Sequence, residues 1–190
     1  MKKLNAKDVL IPTVALLVIC LIATALLAGT NLITKEKIAL NAVETENASR
    51  KVVMPDAVSF GEVKETETGL TVCEALDDKN QVAGYVYTSG AKGYGGTVLV
   101  MVGIDAEGTV TGIEILSHGE TPGLGANATK DDFKSRFIGK SGELTVNKTS
   151  NDGQNIQAIT AATITSKAVT GAVNAVLDDF AKTMGGENNG

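Results

Sequence analysis

A chain of 190 residues fits one domain with something added. Its formal charge is −5; Lys2, Lys3, Lys7 and Asp8 together carry +2 of this, which leaves −7 beyond residue 9. That acidic remainder repels phosphate backbones and argues against nucleic-acid binding. The two cysteines, Cys20 and Cys73, are too few for a disulfide framework and have no zinc or iron–sulfur spacing.

Residues 1–8 read as a short N-terminal segment. Residues 9–29, "VLIPTVALLVICLIATALLAG", hold no charge. At about 1.5 Å per residue they span roughly the 30 Å of a bilayer core. The run is longer than a secretory h-region, and its one A-x-A pattern lies inside the apolar stretch, so it reads as an uncleaved anchor. Pro12 is expected in the first turn of that helix, where a missing N–H is tolerated. The lysines before the span place the N-terminus in the cytoplasm and the rest of the chain on the outer face of the cell (inner) membrane.

Residues 30–54 contain no Gly and stop before Pro55, which predicts a helical connector leading away from the membrane. The domain proper is expected over residues 55–183. "LTVCEAL", "VAGYVYTS", "GTVLVMVGID" and "TVTGIEILSH" alternate with the turn-forming stretches "DDKNQ", "GAKGYG" and "DAEG", which predicts an antiparallel meander. "TKDDFKSRFIG" reads as a helix capped by Thr129, and "ELTVN" as a short strand. Val169, Ala172, Val173, Val176, Leu177 and Phe180 recur at helical spacing and predict a final helix. Residues 184–190, "MGGENNG", read as a frayed tail. The order gives an α+β class: a transmembrane helix, then an antiparallel sheet with flanking helices.

Two stretches exceed what such a sheet needs. "SHGETPGLGAN", residues 117–127, holds the only histidine, His118, and three glycines. Read plainly it is a long turn between strand and helix. "TAATITSKAV", residues 160–169, crowds Thr160, Thr163, Thr165 and Ser166 before the last helix. One hydroxyl, Thr163 or Thr165, would serve as a cap. The others then lack a purpose. Neither stretch carries a nucleophile–base pair with an orienting third group, and "GAKGYGG" lacks the ending of a P-loop.

The combination "KGYGG", "VGIDAEGTVTGIEIL", "HGETPGLG" and "TAATITSKAV" behind one N-terminal span resembles the G subunit of Rnf-type ion-translocating ferredoxin:NAD⁺ oxidoreductases. It is also similar to the related C subunit of sodium-pumping NADH:quinone reductases. The resemblance covers nearly the whole chain. It implies an outer FMN-binding domain, an electron carrier rather than a complete enzyme, and other membrane subunits as partners. In that family a flavin transferase attaches FMN through its phosphate to a threonine in the pattern Asp, two residues, Ser or Thr, Gly, Ala, Thr. Here the pattern falls on Gln157 to Thr163, which makes Thr163 the implied acceptor and Thr165 the next candidate. Gln157 stands in place of Asp and Ala161 in place of Gly.

The same resemblance implies that Thr160, Ala162 and Lys167 surround the phosphate, where a helix N-terminus favours negative charge. Glu120, Thr121, Gly123, Leu124 and Gly125 are then expected against the flavin ring, with Gly123 and Gly125 letting backbone approach it. The alternatives are the C subunit of a quinone reductase, a free-standing extracytoplasmic flavoprotein, or a cofactor-free anchored binding module.

Overall fold

The computed structural model describes residues 6–183. Residues 1–5 of the expected N-terminal segment, with Lys2 and Lys3, and the tail 184–190 lie outside the described residues, while residues 6–8 belong to the first helix. Two compact units divide the chain, one ending at Thr45 and the other beginning at Glu46.

Helix α1 runs from Ala6 to Val53. Its stretch Leu10–Lys35 is long and apolar enough to cross a membrane. The helix starts before the expected span, so Pro12 lies inside it and removes one backbone bond. Thr24 and Thr34 return their hydroxyls to carbonyls one turn back, which leaves no bare polar oxygen on them.

In the second unit the strands are β1 (Ser59–Phe60), β2 (Lys64–Glu65), β3 (Thr71–Leu76), β4 (Val82–Lys92), β5 (Thr97–Asp105) and β6 (Val110–Ser117). They form one antiparallel sheet in the order β1-β3-β4-β5-β6, with β2 also on β3. The meander is the expected one. The small edge strands β1 and β2 escape sequence reading because two residues carry no periodicity.

Helix α2 (Asp131–Lys134) is a single turn between two 3-10 turns, Gly125–Thr129 and Ser135–Phe137. Thr129 does not cap it; its hydroxyl donates to Ala126 O, and Lys130 occupies the capping position. Strand β7 (Thr145–Asn147) pairs in parallel with β8 (Asn155–Gln157), and α3 spans Thr163–Thr183.

Alternation along β5 decides what covers each face. Val98, Val100, Val102 and Ile104 join Tyr87, Val110 and the α3 residues Val169, Val173 and Val176 in the larger core. Met101 faces the other way, with Cys73, Ala75 and Val86, onto Val53 and Met54 at the end of α1. Both faces of β5 are therefore buried, which explains its near-continuous apolar run.

Glycines make the second face possible. Gly103 and Gly112 are cross-strand partners, and a Cβ on Gly103 would lie 2.3 Å from Val53 O. On Gly84 it would lie 2.6 Å from the Met54 side chain. The three positions form a trough into which the last turn of α1 settles. Thr111 Oγ1 donates to Val53 O at 2.6 Å there and satisfies a helix-end carbonyl.

Gly103→Ala is expected to cost about 2 kcal/mol, the scale of an overpacked core. Gly171→Ala adds a Cβ on α3 with nothing within 4 Å and is expected to stabilise by about 0.5–1 kcal/mol. Urea melts of the two variants check both signs.

Candidate functional site

Three segments far apart in sequence meet at one carboxylate. The β4–β5 turn closes through Gly93 N to Gly96 O at 2.7 Å. Its next two N–H groups, Tyr94 and Gly95, donate to Glu120 Oε1 at 2.8 and 3.0 Å. Thr165 Oγ1, in the first turn of α3, donates to Glu120 Oε2 at 2.5 Å. Glu120 is 6% exposed and Thr165 1% exposed. Burial pushes the Glu120 carboxyl up, but the bonds from Thr165, Gly95 and Tyr94, and His118 nearby, outweigh it and hold the group below its ordinary value.

Glycines again make the room. A Cβ on Gly125 would meet Glu120 Oε2 at 2.2 Å and Thr165 Oγ1 at 2.5 Å; one on Gly93 would meet Glu120 Oε1 at 2.4 Å. Gly95 and Gly119 touch backbone to backbone. Gly125 is thus packed closely on the Glu120 carboxylate. Gly123 has φ +79°, a conformation glycine adopts freely, and nothing lies near its missing Cβ.

Against this brace lies an open cavity of about 550 Å³. Glu120, Thr121, Leu124, Gly125, Ala162, Thr163 and Thr165 all line it, as the sequence motifs lead one to expect of a single site. Gly123 and Thr160 line an adjoining cavity of about 540 Å³, which shares only Leu124 and Ala161 with the first. Lys167 lines neither; it is exposed on α3, one turn beyond Thr163.

Tyr94 and Ile164, to which the sequence motifs assign no role, line the first cavity too, as does Ala161. Tyr94 is 74% and Ile164 55% exposed. Both carry a signal: an aromatic in a glycine turn, and an isoleucine on the otherwise polar or small face of α3.

The helix start is also shifted from the simplest reading. Ser166 N donates to Ala162 O at 3.0 Å, the first intrahelical bond, so Ala162 is in the capping position. Neither Thr163 nor Thr165 caps. Thr163 is the first helical residue, is half-buried, and makes no side-chain hydrogen bond among the described residues. The N–H groups of the first turn precede Ser166 and have no intrahelical partner. Ala161, just before, sits at φ +61°.

These features fit an FMN. The cavity is in the usual range for cofactor sites. Tyr94, Leu124 and Ile164 supply apolar surface for a planar ring, and the α3 N-terminus suits a phosphate.

The FMN-binding domain family model matches residues 93–178, and that of the RnfG N-terminal region matches residues 1–53. The chain is 38% identical over 173 residues to the G subunit of the proton-translocating ferredoxin:NAD(+) oxidoreductase complex of Clostridium ljungdahlii, covering 90% of this chain and 91% of the relative. It is 41% identical over 177 residues to the G subunit of the Na(+)-translocating ferredoxin:NAD(+) oxidoreductase complex of Acetobacterium woodii, covering 84% and 85%. The chain belongs to this family of G subunits. The fold is shared with NqrC of Shewanella oneidensis, at TM-score 0.54 and 18% identity over 72% of this chain and 74% of that one. It is also shared with the C subunit of the Na(+)-translocating NADH-quinone reductase from Parabacteroides distasonis, at TM-score 0.52 and 27% identity over 60% and 62%.

An alanine at φ +61° occupies a region that glycine enters without steric cost. Ala161→Gly is therefore expected to stabilise the domain by about 1 kcal/mol in a urea melt.

Because the Glu120 carboxyl titrates lower in the folded chain than its ordinary 4.5, its contribution is complete above that pH. It is lost as pH falls through the depressed value. Glu120→Gln is expected to cost about 2 kcal/mol at pH 7, the scale of charge-assisted bonds. The gap from the parent should narrow below pH 4.5. Melts at pH 7 and pH 3 distinguish this from a gap that stays constant.

Proposed function

We propose that the chain is the electron-carrying G subunit of a membrane-bound, ion-translocating ferredoxin:NAD⁺ oxidoreductase, holding FMN by a phosphoester on Thr163. The observation that carries the site is the Thr163 hydroxyl: half-buried, free of hydrogen bonds among the described residues, and on the cavity wall at the first position of α3. Once bound, FMN supplies the one-electron redox chemistry.

The chain's own residues do the rest. The first-turn N–H groups of α3 and its dipole hold the phosphoryl charge. Lys167, four residues on and so on the same helix face as Thr163, adds a compensating cation. Tyr94, Leu124 and Ile164 offer apolar contact to the ring, and Thr121 and the loop backbone offer hydrogen bonds. Glu120 fixes the loop, the turn and the helix relative to one another. Its negative charge beside the cavity disfavours added electrons, so it also biases the potential downward.

The apolar part of α1 carries no charge before Lys35, so it offers no ion path. Ion translocation then belongs to other subunits. The lysines ahead of the span support a cytoplasmic N-terminus and an FMN domain on the outer face. The quinone-reductase alternative draws support from the shared fold, but the ferredoxin:NAD(+) oxidoreductase relatives match over nearly the entire chain at higher identity.

Produced beside a flavin transferase, the chain is expected to fluoresce as a flavin on a denaturing gel. The Thr163 peptide should be heavier by FMN less water. Thr163→Ala should be dark, and a labelled Thr163→Ala would move the acceptor elsewhere. For orientation, protease added to intact cells, or to spheroplasts where an outer membrane exists, should digest the domain. Digestion only after lysis would reverse the topology.

A further inference from the structure

The four hydroxyls between residues 160 and 166 divide their work, and one of them is assigned nothing by the cofactor reading. Thr160 is exposed, Thr163 faces the cavity, and Thr165 holds Glu120. Ser166 is 0% exposed and touches neither cavity. Its Oγ accepts from Ile159 N at 2.9 Å and donates to Ala162 O at 3.0 Å.

Those two partners are the ends of the segment that precedes α3. Ala162 N also donates to Ile159 O at 3.0 Å, which closes a turn with Ala161 inside it at φ +61°. A left-handed alanine persists only where its surroundings over-determine it. The surroundings here are one side-chain oxygen and the backbone bonds it reinforces. Upstream, Arg136 Nη1 donates to Gln157 O at 2.7 Å, and Ala158 N donates to Asn147 O at 2.7 Å. The run from Gln157 to Ser166 is thus anchored on both sides of Thr160 and Ala161, and its far anchor is Ser166.

We propose that Ser166 is a positioning residue for the attachment of FMN to Thr163. This rests on Thr163 as the acceptor. Attachment forms a bond between Thr163 Oγ1 and the FMN phosphorus. The hydroxyl proton leaves to a base of the transferase, and a phosphoanhydride bond of a flavin dinucleotide donor breaks, releasing a nucleoside monophosphate. No electrons change hands. Such a displacement needs the attacking oxygen held in line with the breaking bond, and a small misplacement is costly in rate. Ser166 supplies that constraint by fixing the turn from which Thr163 emerges. Without its hydroxyl, Ile159 N–H loses its buried partner, the turn opens toward water, and Ala161 leaves the left-handed region. Thr163 then samples several orientations, while the exposed Thr160 becomes an equally good acceptor.

The test labels the purified full-length chain with flavin transferase and flavin dinucleotide, well below the melting temperature, and locates the flavin by peptide fragmentation. Ser166→Ala is expected to slow labelling of Thr163 at least roughly tenfold and to place part of the label on Thr160. Val169→Ala truncates the core on α3 one turn further on and leaves the hydroxyl bonds of the turn in place. It should lower the melting temperature yet label Thr163 at the parental rate. If Ser166→Ala does not accumulate as folded protein, Ser166→Cys carries the same comparison, with labelling at least roughly threefold slower. Parental rate and site selectivity in the serine variant would overturn the proposal, as would equal slowing in Val169→Ala. Label persisting in Thr163→Ala would instead overturn the acceptor assignment itself, so the two failures read differently.

Discussion

A carboxylate removed from water is costly unless donors replace the water it loses. Glu120 meets that condition with two backbone N–H groups on one oxygen and a threonine hydroxyl on the other. The donors come from two distant parts of the chain, and Glu120 itself from a third. Remove the charge and the β4–β5 turn, the loop after β6 and the start of α3 lose their common tie. The cavity at Thr163 is bounded by these same three segments, so its shape depends on this one side chain. The four glycines around it follow as a consequence. Gly93 and Gly125 leave space for the carboxylate, and Gly95 and Gly119 let the two loops touch.

The sheet carries the same logic on its other side. A helix end can settle on a pleated face only where side chains are missing, and Gly84, Gly103 and Gly112 remove them across three adjacent strands. The result is a sheet covered on both faces, with α3 above and the last turn of α1 below. Rigidity of the sheet in turn fixes the β4–β5 turn and the loop after β6, which are extensions of its central strands.

Strand and helix identities are legible in the sequence: β-branched runs set off by turn-forming stretches give β3 to β6, and helical spacing gives Val169 to Phe180. The site residues of two loops are legible as glycine-rich and hydroxyl-rich stretches that a plain sheet domain does not require. Their employment is not. The packing of Gly125 on Glu120 and Thr165 has no local signal. Thr129 looks like a cap and is not one, because Lys130 takes that position. The parallel β7–β8 pair is half-legible, since the partner of "ELTVN" is three residues without alternation. Long-range partners such as Glu120 and Thr165, 45 positions apart, leave no local pattern to read.

The crowded hydroxyls at 160–166 make sense only when their partners are compared. Two are buried and fully engaged: Thr165 outward to Glu120, Ser166 backward to the turn. Thr163, just ahead of both, is left with its oxygen free on a cavity wall. A reactive hydroxyl needs freedom at its oxygen and constraint everywhere else. The proposed phosphoester also suits the cavity's openness. Tyr94, on the cavity's apolar wall, is 74% exposed, so a ring packed against it keeps an edge open to solvent. An exposed ring edge is what a carrier must offer to the proteins it exchanges electrons with. The proposed tether would separate retention, at Thr163, from exposure, at Tyr94 and Ile164.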